Sequence, residues 1–155
     1  MSTICIDLDG VLASFKKEGQ TYADVAPIPG AVEKVRSLKA AGHKIIIYSA
    51  RHMKTCQGNA GLVVARIGPM TLDWLKRHDI PYDEIHFGKP WADVYIDDNA
   101  VRFGSWDQIA PDGSNLPASN ETKQGEAGRQ EAGDRRQETV DSIQKMNAQH
   151  LMPKV

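Results

Sequence analysis

Ile4-Cys5-Ile6-Asp7-Leu8-Asp9-Gly10-Val11 sets an apolar, strand-forming run directly against two carboxylates one residue apart. The glycine after them can turn the chain where other residues would be strained. A buried strand gains nothing from acids at its end. In a parallel sheet, however, the carboxyl ends of the strands open into the crevice where such folds bind ligands, so Asp7 and Asp9 are expected at that mouth. The plainer alternative is a strand-to-loop turn in which Asp9-Gly10 supplies only turn chemistry.

Working outward, two further apolar runs finish the same way. Lys44-Ile45-Ile46-Ile47-Tyr48 runs into Ser49-Ala50-Arg51, and Val94-Tyr95-Ile96 runs into Asp97-Asp98-Asn99. Between the first two, Val32, Val35 and Leu38 fall at helical spacing over residues 31–41, and Gly42 follows as a stop. Strand, helix and strand in that order make a right-handed parallel crossover, which places Ser49 at the same sheet edge as Asp7. A second helix is expected within 62–78, with Leu72 and Leu75 on its buried side, Trp74 in the core and a break expected near Gly68-Pro69. Glu84-Ile85-His86-Phe87 reads as a short strand leading into Gly88-Lys89-Pro90-Trp91. Residues 12–29 read as a loop with at most a short hairpin, too small for a domain that would cover the site.

The 155 residues, 41% of them hydrophobic, suffice for one α/β core and are few for two. Residues 1–110 are assigned to the folded domain. From Pro111 to Thr139 large apolar residues are nearly absent, so 111–155 reads as a polar, mostly disordered tail. Within it Val140, Ile143, Met146 and Leu151 could line a terminal helix that frays or pairs with another copy. A formal net charge of −1 gives no overall basic field for nucleic acid. The two cysteines, Cys5 and Cys56, have no spacing that suggests a zinc site or a disulfide scaffold and read as free thiols. With acids at positions 7 and 9 where a secretory signal needs unbroken apolar sequence, and no later run near a membrane span, a cytoplasmic protein is expected.

The residues gathered at one sheet edge are Asp7, Asp9, Ser49, Lys89, Asp97 and Asp98. Carboxylates with a lysine and no His or Cys cluster suit a hard, oxygen-seeking ion, Mg²⁺ before zinc. Charge then suggests the reaction. Two unit charges about 4 Å apart repel by roughly 4 kcal/mol at an effective dielectric near 20, so a carboxylate attacking a phosphate monoester needs cations beside it. Lys89 and Mg²⁺ would supply them, with Ser49 and backbone N–H groups holding the other phosphate oxygens. Asp7 is then the nucleophile and Asp9 the acid and base. Asp98 is assigned to the metal and Asp97 to orienting that site.

The order Asp7-Leu8-Asp9-Gly10-Val11, Ser49, Lys89, Tyr95-Ile96-Asp97-Asp98 resembles the four motifs of the haloacid dehalogenase-like (HAD) phosphohydrolases, over about residues 1–106. The resemblance implies a three-layer Rossmann-like parallel sheet with helices on both faces and no cap domain. It also implies Mg²⁺ held by Asp7, by Asp9 through its backbone carbonyl, and by Asp98, with the phosphate held by Ser49, Ala50, Arg51 and Lys89. Val11 and Ser49 stand where many members have threonine, and no acid follows Asp98 closely. Ser49-Ala50-Arg51, Gly58-Asn59, Asp73-Trp74-Leu75, Pro81-Tyr82-Asp83-Glu84-Ile85 and Gly88-Lys89-Pro90-Trp91 are similar to a small capless branch associated with capsular-polysaccharide biosynthesis. That implies a sugar phosphate or related precursor as substrate.

Arg51, His52 and Lys54 follow Ser49 and are candidates for a second anionic group of the substrate, although Lys54 reads first as a solvated loop charge. Trp91 reads as packing before ring stacking. Three functions stay open: a Mg²⁺-dependent phosphatase on a small, sugar-linked metabolite; the same chemistry on nucleotides or a nucleic-acid 3′-phosphate; and a non-catalytic phosphate-binding assembly protein. Possession of both Asp7 and Asp9 speaks against the last.

Overall fold

The computed structural model describes residues 1–118 together with Thr122, Arg136, Gln137, Asp141 and Gln144. Three parallel strands, β1 (Thr3–Asp7), β2 (Lys44–Ser49) and β3 (Glu84–Phe87), form one sheet in the order β1-β2-β3. Helix α1 (Ala31–Ala40) connects the first two strands and α2 (Ala60–Arg77) the second two. This is an α/β fold; the crossover expected between the first two apolar runs is present, and α2 with β3 adds a second. Register sets Asp7 beside Tyr48 and Ser49 beside Phe87, so all three strands end at one edge.

Alternation along the strands decides which face is buried. Ile6, Ile45 and Ile47 share the main core with Val35 and Leu38 of α1 and Trp74 and Leu75 of α2. Cys5, Ile46 and Tyr48, on the opposite face, are half-buried or exposed. In α1 the stripe is Ala31, Val35 and Leu38, with Glu33 in the first turn and Lys39 in the last, each complementing the helix dipole. Asn59 caps α2, its side chain accepting the Leu62 N–H at 3.0 Å.

The expected break at Gly68-Pro69 does not occur. Proline inside a helix costs about 3 kcal/mol, but α2 runs through Pro69 because Val63, Ile67, Thr71, Trp74 and Leu75 are all buried along one side. Leu72, expected on that side, is exposed. Two indoles fasten the long loop after β1: Trp74 Nε1 donates to the Val25 carbonyl at 2.7 Å and Trp106 Nε1 to the Val11 carbonyl at 2.8 Å.

The apolar run Val94-Tyr95-Ile96 is not a strand. Val94 is 73% exposed and Ile96 fully so, and among the described residues the sheet consists of β1, β2 and β3. Three apolar residues offer too little area to hold a segment in a sheet when Pro90 and the acids of 97 and 98 bound it.

Residues Met1–Pro117 form one compact unit. A short 3-10 turn at Trp106–Gln108 carries the chain back to the core, where Leu116 packs. His43, buried, accepts the Ser2 N–H on Nδ1, so Nε2 carries the proton that it donates to the Asp112 carbonyl at 2.7 Å. Residues Ala118–Val155 form a second unit, and its described positions beyond 118 are helical. The expected apolar stripe from Val140 to Leu151 lies outside the described residues. Among the described residues no helix is long and apolar enough to cross a membrane.

Candidate functional site

Asp7 is the last residue of β1 and its carboxylate is held on both sides. Oδ1 accepts the Leu8 N–H at 2.8 Å, and Oδ2 lies 2.9 Å from the Lys89 ammonium. Lys89 reaches this position because its own N–H donates to the Ser49 carbonyl at 3.1 Å, which anchors the turn after β3 to the end of β2. Two sheet connections far apart in sequence therefore deliver one acid and one base to the same point.

The turn after β1 makes the second acid. Leu8 and Leu12 are fully buried, the Leu12 and Ala13 N–H groups return to the Leu8 carbonyl, and Gly10 sits at φ 88°. A Cβ at Gly10 would lie 2.6 Å from the Phe15 ring, so conformation and space both favour glycine there. Asp9 is left with its carboxylate facing Arg51. Arg51 Nε lies 3.0 Å from both Asp9 oxygens, and Nη2 lies 2.9 Å from Oδ1.

Arg51 is where the site departs most from expectation. Its side chain is 0% exposed against 25% for Asp9. Nη1 donates to Thr71 Oγ1 at 3.3 Å, and the guanidinium lies 4.5 Å from the centre of the Tyr22 ring. The expected phosphate ligand is thus engaged with the second acid. A buried guanidinium with a nearby carboxylate takes it as partner, because an unpaired buried charge is expensive. Burial, with the Asp9 charge adding to it, pushes the Tyr22 hydroxyl above its ordinary pKa, so it stays protonated at neutral pH. Burial likewise raises the Cys5 thiol.

Asp7, Asp9, Ala50, Arg51 and Lys89 line a pocket of about 570 Å³ that Lys16, Lys54 and Trp91 also border. Ser49 does not line it. Its side chain is fully buried and its hydroxyl accepts the Arg51 N–H at 3.1 Å, shaping the turn from behind. Asp97 and Asp98 are not among the lining residues either and are exposed. The expected metal set of Asp7, Asp9 and Asp98 is therefore not brought together. Among the described residues no group of three or more His, Cys, Asp or Glu side chains is placed to hold a metal ion. Mg²⁺ is commonly held by one or two carboxylates with waters and a substrate phosphate, and of the expected set the pocket keeps Asp7 and Asp9.

Tyr22, Thr71, Phe15 and Lys16 were not expected at the site. Thr71 had a signal, a polar residue on the buried stripe of α2. Tyr22, Phe15 and Lys16 lie in a loop without periodicity and had none.

No protein-family model and no curated protein matches the chain. Among solved structures it is similar to the crystal structure of an MCSG target from Vibrio cholerae, at 39% identity and a TM-score of 0.61, over 66% of this chain and 84% of that one. The chain belongs to one family with that protein. The Vibrio cholerae protein's name states no activity.

Proposed function

We propose that the protein is a phosphomonoester hydrolase working through an aspartyl-phosphate at Asp7, on a small metabolite that is sugar-linked. The observation that carries this reading is the Lys89 ammonium 2.9 Å from the Asp7 carboxylate at the mouth of the sheet, with Asp9 two residues on. A carboxylate that only needed solubility would not be placed at a pocket edge against a part-buried lysine.

In the first step an Asp7 oxygen attacks phosphorus, the bond to the ester oxygen breaks, and Asp9 in its acid form gives that oxygen a proton. In the second, Asp9 takes a proton from water. The water oxygen bonds to phosphorus and the Asp7–phosphorus bond breaks, releasing phosphate. Lys89 offsets the negative charge that builds up when carboxylate and phosphate approach. Arg51 fixes the orientation of Asp9. Oδ1 carries contacts from Nε and Nη2, and Oδ2 from Nε alone, so Oδ2 is assigned to proton exchange. Mg²⁺ accompanies this chemistry in the HAD phosphohydrolases that the sequence resembles. Asp7 and the Asp9 backbone carbonyl would hold it, and it would offset the phosphate's charge beside Lys89.

The finer architecture that goes with this reading is a three-layer sheet without a cap domain. The parallel order of the strands supports it, and the loop between β1 and α1, residues 8–30, is too small to be a separate cap domain. A nucleotide substrate is the second reading, favoured by the exposed Phe15, Trp91 and Tyr95 at the pocket, flat faces suited to a base.

The test is turnover of p-nitrophenyl phosphate, in Mg²⁺ and in EDTA, by the protein and its Asp7→Asn and Asp9→Asn variants. The proposal expects turnover that both variants lose. Its absence under every condition, or its survival in Asp7→Asn, overturns it.

A further inference from the structure

Two acids and four cations line the pocket: Asp7 and Asp9 against Lys16, Arg51, Lys54 and Lys89. Lys89 is paired with Asp7 and Arg51 with Asp9. Lys16 and Lys54 have no carboxylate partner among the described residues, and both are exposed at the rim. Lys54 does not extend into solvent; its ammonium lies 4.3 Å from the centre of the Trp91 ring, which is itself 54% exposed. An ammonium held on an open aromatic face keeps its charge and its donors while its position is narrowed. The turn that carries it is held in an uncommon conformation: His52, also lining the pocket, has φ 58° and a buried Nδ1 without a hydrogen-bond partner.

From this surplus we infer that the pocket has a second anion subsite, formed by Lys16 and Lys54 with Trp91 beneath. Its substrates are phosphomonoesters that carry a further negative group, a carboxylate or a second phosphate, joined to the reacting phosphate by a carbon skeleton lying across Trp91. The inference rests on the hydrolase reading above and adds the substrate class. The reacting phosphate meets Lys89 at the sheet edge, while the second anion takes the two rim cations that the protein's own acids leave unpaired. A neutral sugar phosphate would leave both of them without a partner. The shared chemistry is the second anion; whether a sugar acid or a nucleotide supplies it is an arm of the test.

The experiment compares kcat/KM for two matched pairs, glucose 6-phosphate with 6-phosphogluconate and adenosine 5′-monophosphate with adenosine 3′,5′-bisphosphate. It uses the protein and a Lys16→Gln/Lys54→Gln variant, both side chains being exposed. A charge-assisted contact made only by the second anion is expected to favour the doubly anionic member by about tenfold or more. That ratio should fall toward one in the double variant and, because the subsite is open to solvent, with rising salt. The pair showing the preference identifies the skeleton. A ratio near one in the unaltered protein overturns the inference, as does a ratio that the double variant leaves in place. Should p-nitrophenyl phosphate not be turned over, the hydrolase reading fails separately. The same pairs are then compared as ligands by calorimetry, where tighter binding of the doubly anionic member, lost in the variant, supports the subsite and equal affinities overturn it.

Discussion

Arg51 and Asp9 offer the sharpest quantitative test of the site as built. Arg51→Met keeps the length of the side chain and removes the guanidinium, which reaches both Asp9 oxygens and Thr71. Breaking a fully buried ion pair costs about 3–5 kcal/mol because the remaining charge is stranded. Asp9, a quarter exposed, regains some water when its partner leaves. The low end therefore applies, about 3 kcal/mol for Arg51→Met. Asp9→Asn strands the guanidinium, which has no exposure at all, and costs about as much. Since each variant already forfeits the shared contact, the double variant should lose about 4 kcal/mol where independent effects would sum to about 6, a coupling of about 2 kcal/mol. Urea unfolding followed by tryptophan fluorescence, extrapolated linearly to water for all four proteins, measures each corner of the cycle. Additivity within about 0.5 kcal/mol would refute the placement of Arg51 against Asp9.

Other expectations follow from single contacts. Lys89→Met should lower kcat on p-nitrophenyl phosphate by about 10²–10³, the usual loss when one preorganised donor to developing charge is removed, and an unchanged kcat would separate Lys89 from the chemistry. Trp74→Phe leaves the Val25 carbonyl without its 2.7 Å donor and should cost about 1–3 kcal/mol in thermal unfolding; no loss would mean that the loop is held by other contacts. The Lys39 side chain and then the Ile45 N–H hold the Asp83 carboxyl below its ordinary range. A carboxyl whose folded pKa lies below the unfolded value of about 3.9 adds stability above that pH and loses it as pH falls through the folded pKa. Asp83→Asn should therefore melt earlier than the unaltered protein at pH 7, and the gap should close in the acid range below about pH 4, as followed by calorimetry. A gap that persists into strong acid would contradict it.

β1 and β2 were legible as apolar runs ending in polar residues, and β3 as a short strand-forming segment before Gly88. The meeting of Asp7 with Lys89 was legible too, since parallel crossovers bring every carboxyl end to one edge. Val94-Tyr95-Ile96 showed the same local pattern and misled. A three-residue run records a preference for strand, and whether a neighbouring edge accepts it depends on area gained elsewhere in the chain. Pro69 misled in the opposite sense, because its local cost was visible and the five buried side chains that offset it act only in the folded helix. Arg51 was legible as a charge near the site. Its destination was not, since a guanidinium suits a substrate phosphate and a neighbouring carboxylate equally well, and the choice was made by Thr71 and Tyr22 closing over it.

The central claim is that Asp7 becomes phosphorylated during turnover. Rapid acid quenching of the protein with p-nitrophenyl phosphate, followed by mass spectrometry of the peptide that carries residues 3–9, measures this directly. A phosphoryl adduct on Asp7 that forms before free phosphate, decays with turnover and is missing from Asp7→Asn is the predicted result. Turnover with no adduct at Asp7, or with the adduct on another residue, would contradict it.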